Sequence, residues 1–71
     1  MTAKQLAAVG EALYGPHWQS FLARDLGIAP RSMRRYLAGD REIPADLPDQ
    51  LRGLLADKRQ AVDRAERLLP R

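Results

Sequence analysis

The stretch GIAPRSMRRYLAG, residues 27–39, concentrates the chemistry of this chain. Arg31, Arg34 and Arg35 fall within five residues of one another, between Gly27 and Gly39. An arginine presents a planar fork of donors that matches phosphate oxygens and the O6/N7 edge of guanine. Residues 29–41 hold four Arg and one Asp, a net of +3, which is also the net charge of the whole 71-residue chain. The remaining residues balance, with eight basic and eight acidic groups. A GC-rich genome also yields a chain rich in Ala, Leu and Arg, but it does not explain this placement.

Other reactive constellations are missing. There is no cysteine, so neither a thiol nucleophile nor a cysteine-based zinc site is available. His17 is the only histidine and has no second member for a triad or a metal site. No glycine-rich phosphate loop occurs. The paired carboxylates Asp40 and Glu42 lie in a segment expected to be an exposed loop. The expectation is a non-enzyme without metal or cofactor. A chain of 71 residues makes one small domain with a thin core. No small-molecule effector pocket is expected in it, and a partner subunit is a natural source of extra stability. The N-terminal MTAKQLAAVGEALYG has no apolar run long enough for a signal peptide, and nothing approaches a membrane span. The cytoplasm is the expected location.

The elements that must position the arginines all read as helix. Val and Ile are scarce and no β-type alternation occurs. A first helix is predicted over about 3–13, opened by a Thr2/Gln5 capping box, with Leu6, Val9 and Leu13 as its core stripe. A second runs from about 17 to 26, with Trp18, Phe21, Leu22 and Leu26 on an apolar face and Gly27 closing it. Ile28 is then free to tuck into the core. A third begins at Pro30 and ends at Ala38 before Gly39. On a wheel of about 100° per residue, Arg34, Ala38, Arg31 and Arg35 span about 40° to 140°, opposite Tyr36, Met33 and Leu37 at about 240° to 340°. The arginines therefore form one outward patch. Ile43 anchors the loop DREIPADLP, and a last helix runs from about 47 to 69 with Asp46 as its N-cap.

Two short helices joined by a glycine turn form a helix-turn-helix. The segment FLARDLGIAPRSMRRYLAGDREIP, residues 21–44, resembles the helix-turn-helix of the Cro and phage-repressor-like family of transcription regulators. The matching landmarks are Ala23, Gly27 four residues later, the apolar Met33 and Tyr36, and Gly39. The chain departs from that family in having room for about four helices rather than five, and in Tyr36 where Trp or Leu is common. The resemblance implies an all-α helix-turn-helix bundle over residues 1–46, completed by the long helix within 47–71. It implies a small repressor of phage, plasmid or bacterial origin that binds double-stranded DNA, with the third helix in the major groove.

In that arrangement Arg31 and Arg35 are the base readers. Arg34, at the edge of the face, meets a phosphate. Ser32 reaches a phosphate or a base, and Arg41 the adjacent backbone. Gln19, by the resemblance, holds a phosphate at the start of the second helix. A monomer of this size reads too few base pairs to be specific, so a homodimer is expected. From Leu51 onward the last helix follows nearly a heptad pattern, with Leu55, Val62, Ala65 and Leu69 as seam residues and Lys58 breaking it. Its second half, about 58–69, is expected to project from the domain or pack on a partner. The rival reading is a protein-interaction module that uses the basic face and the long helix. An RNA binder is a weaker rival, because no aromatic residues alternate with the basic ones for stacking.

Overall fold

The computed structural model describes residues 1–71 as four helices and no strand: α1 Ala3–Tyr14, α2 Trp18–Leu26, α3 Pro30–Ala38 and α4 Leu47–Leu68. This is the all-α bundle with a long C-terminal helix that the periodicity predicts. None of the helices is long and apolar enough to cross a membrane.

Local chemistry sets the helix ends. At α1, the Thr2 hydroxyl accepts from the Gln5 N–H at 3.1 Å, and the Gln5 side chain accepts from the Thr2 N–H at 2.8 Å. Two of the orphan donors at this helix start are thereby satisfied. α2 and α3 end alike. Ile28 N–H donates to Ala23 C=O at 2.8 Å, and Asp40 N–H donates to Arg35 C=O at 3.0 Å. In each case a glycine in the left-handed region, Gly27 at φ 69° or Gly39 at φ 78°, turns the chain to make that bond. A side chain would cost about 1–2 kcal/mol in such a conformation. Asp46 occupies the N-cap of α4 but does not cap it. Its backbone is helical, and its carboxylate instead accepts from Gln50 Nε2 at 2.9 Å.

The core draws on every helix. Leu6, Leu22, Met33 and Leu47, one from each, are its largest fully buried side chains. Trp18, Ala23, Tyr36 and Leu51 complete it, with Val9, Leu13, Leu26, Ile28 and Ile43 half-buried around them. Full burial of a Leu or Met side chain stabilises by about 1.5–3 kcal/mol. α1 and α2 approach closely at Gly10, where a Cβ would lie 2.1 Å from Cε3 of Trp18. The indole occupies the space that a side chain on α1 would fill.

Phe21 departs from the expected apolar face of α2. It is 43% exposed, stacked on Tyr14 with ring centroids 5.9 Å apart and with the Arg24 guanidinium over its ring. The apolar face of α2 is wider than the surface its neighbours cover, and Phe21 falls at the uncovered edge.

α4 packs against α2 through its first half alone. Every residue from Arg59 to Arg71 is exposed. The molecule measures 49 × 23 × 19 Å, with a radius of gyration of 13.8 Å. A compact chain of this length would have about 11 Å. The projecting end of α4 makes the difference.

Candidate nucleic-acid interface

α3 is the most amphipathic element of the molecule, and its burial pattern is sharp. Met33 and Tyr36 are buried and Leu37 is half-buried, while Arg31, Arg34, Arg35 and Ala38 are exposed. The Schellman turn at Gly27 ends α2 just before this helix, the one at Gly39 closes it, and Met33 and Tyr36 lock its rotation. The orientation of the arginine face follows from the core.

These arginines have no acidic partners. The ion pairs of the protein are Arg24–Asp25, Lys58–Asp25 and Arg52–Asp49, all away from α3. Three guanidiniums on one exposed face without a neutralising carboxylate make a local positive potential available to an external anion. Arg41, just beyond the helix, lies over the Tyr36 ring at 5.8 Å. This stacking keeps its charge beside the end of α3. Tyr36 makes no hydrogen bond within the protein, yet its hydroxyl is not sealed from solvent.

The start of α2 lies beside this face. Gln19 and Ser20 of its first turn line a cleft of about 150 Å³ with Pro30, Met33 and Arg34 of α3. Gln19 and Arg34 are thus brought together, as the phosphate-contact reading requires. His17 sits at the N-cap of α2, exposed, and no side chain caps the helix. Its first N–H groups therefore face outward without a side-chain acceptor. Ser20, which the sequence expectations do not include, lines the same cleft. Its place next to Gln19 in the first turn was the available signal. Ser32 is half-buried in the first turn of α3 and does not line this cleft.

Three of the seam candidates, Leu55, Val62 and Ala65, lie along α4, which ends at Leu68; Leu69 is its C-cap, with extended backbone. Leu55 is half-buried, while Val62 (56%) and Leu69 (69%) are strongly exposed, as is Ala65. Leu55 and Val62 line an open groove of about 370 Å³ with Leu13, Lys58, Arg59 and Asp63. Lys58, the break in the heptad pattern, has its ammonium held against the bundle. Its Nζ donates to Asp25 Oδ2 at 3.2 Å and lies 5.0 Å from the Tyr14 ring centroid. The Tyr14 hydroxyl donates to the same carboxylate oxygen. Those hydrogen bonds, from Tyr14 first and Lys58 second, hold the Asp25 carboxyl below the ordinary carboxylate range. Desolvation, then the bond to Asp25, raises the Tyr14 phenol, and the bond to Asp25 raises the Lys58 ammonium. This node ties α1, α2 and α4 together on the side of the molecule where the long helix leaves the bundle.

No protein-family model, no curated protein and no solved structure matches the chain.

Proposed function

We propose that this chain is a sequence-specific regulator that binds double-stranded DNA, of the Cro and phage-repressor-like type, acting as a small homodimeric repressor in the cytoplasm. The observation that carries the reading is the exposed, unneutralised face of Arg31, Arg34 and Arg35 on a helix whose opposite face is locked into the core. An α-helix of this kind fits the major groove, and arginines there read guanine by paired donors. Arg31, in the first turn, and Arg35, one turn later, read bases. Arg34, Gln19 and Ser20 grip the phosphates beside the cleft they line, with Ser32 at the edge and Arg41 on the adjacent backbone. Repression on this reading is occupancy of an operator, without cofactor or chemistry.

Selection of bound duplexes from a random pool tests it, with wild type and the Arg31→Ala/Arg35→Ala variant compared. The expected result is a palindromic, guanine-containing motif that the variant loses. Half-site centres about 34 Å apart, one helical turn of DNA, would match a dimer. No enrichment by the folded protein at low salt would overturn the reading in favour of a protein partner for the basic face.

A further inference from the structure

The second half of α4 is a helix with a face and nothing on it. Leu51, Leu55, Lys58, Val62, Ala65 and Leu69 follow one another at alternating spacings of four and three. Such residues lie in one stripe along a helix, and here the helical part of the stripe ends at Ala65, before the Leu69 C-cap. Leu51, at its start, is buried in the bundle. α4 joins its own domain through Leu47, Leu51 and Leu54, and the stripe that begins at Leu51 runs on into solvent. Ala61 and Leu68 widen it on the flank that Leu54 also occupies, and Leu68 is 84% exposed.

We propose that a second copy of this chain covers that face, with the two α4 helices antiparallel and crossing where Val62 of each meets Ala65 of the other. This rests on the dimer part of the reading above and not on its DNA part.

Two observations select this occupant and this direction. First, charge: Arg59 and Glu66 are seven residues apart on the same flank of the stripe. In an antiparallel pair the two flanks of one kind face each other, so Arg59 meets the partner's Glu66 twice over. In a parallel pair that flank would face Leu54, Ala61 and Leu68, leaving both charges unpartnered. Second, Lys58: a parallel pair would set Lys58 against the partner's Lys58 in the seam. In the antiparallel pair Lys58 faces the partner's helix end rather than another Lys58, and its ammonium is already engaged with Asp25.

Label separation and association are measured without DNA, so a failed duplex selection leaves this test intact. The chain has no cysteine, and Gly53 is an exposed helical position with open space for a side chain. A nitroxide on the Gly53→Cys variant therefore reports one distance per dimer. The antiparallel pair sets the two labels about 30 Å apart along the helix axis. A parallel pair would hold them within about 20 Å. Sedimentation equilibrium reads the charge pair. Arg59→Glu and Glu66→Arg each weaken association roughly tenfold, from two reversed pairs, and the double variant restores it. Val62→Glu, at an exposed position that leaves the fold intact, abolishes the dimer. A monomer at high micromolar concentration, a short label distance, or a double charge variant no tighter than the singles would overturn the proposal.

Discussion

Lys58, midway along α4, reaches back across the molecule to Asp25 at the end of α2, with Nζ 3.2 Å from Oδ2. The two residues are 33 positions apart. Their contact explains the one charged residue in an otherwise apolar stripe. It marks the point where α4 stops packing on its own bundle and begins to project. Tyr14 joins the same carboxylate from α1, so three helices meet at one side chain.

The node gives stability a defined pH window. Asp25 has a folded pKa below its ordinary 3.8, so its contribution is fully present above that value and is lost as pH falls through the folded pKa. Tyr14 and Lys58 are raised from 10.0 and 10.5, so theirs is present below those values and lost as pH rises through the folded ones. Urea unfolding of wild type and Asp25→Asn should show a gap that is constant at neutral pH and narrows in acid. Parallel curves down to the acid limit would show that Asp25 carries no such linkage.

Two glycines in helix interiors should respond to alanine with opposite signs. Gly53 is exposed with nothing near its would-be Cβ, so Gly53→Ala should stabilise by about 1 kcal/mol, the helix-propensity difference. At Gly10 the same gain is opposed by collision with the Trp18 ring. Overpacking of this kind costs about 1–3 kcal/mol, so Gly10→Ala should be net destabilising by thermal or urea unfolding.

Gly27→Ala should destabilise by about 1–2 kcal/mol, because its φ of 69° lies in the left-handed region. The substitution touches no arginine. Any loss of duplex binding by the folded Gly27→Ala protein would therefore report the tilt of α3 relative to α2. Unfolding and binding measured on the same sample separate the two effects.

Salt dependence should sort the arginines. Arg34→Ala and Arg41→Ala, at positions assigned to phosphates, should each lower the slope of log K against log salt by about 1 while leaving sequence preference unchanged. Arg31→Ala and Arg35→Ala should instead relax preference at single base positions, each by about 1–3 kcal/mol. None of the four should shift unfolding by more than about 0.5 kcal/mol, since all are exposed. A large loss of stability in any of them would place that residue in the fold rather than at the interface.

What the sequence by itself determined is what neighbouring residues decide. The capping box of Thr2 and Gln5, the limits of α3 and the glycines that end α2 and α3 are local. They depend on bonds within a few residues. The opposition of Met33 and Tyr36 to Arg31 and Arg35 follows from helical spacing alone. The projecting half of α4 was legible because its length exceeds what so small a core can cover.

Tertiary structure decided the rest. Periodicity defines an apolar stripe but not which edge of it a neighbour covers, and so Phe21 is outside while Leu22 is inside. The fit of Trp18 over Gly10 depends on how α1 and α2 approach. Asp46 sits at the right place for a cap but takes helical dihedrals and bonds Gln50 instead. The Tyr14–Asp25–Lys58 node joins residues 11 and 33 positions apart, and no spacing rule connects them. Helix rotation and pairing are set by the packing of all four helices at once, and a single chain segment carries no record of what it will meet.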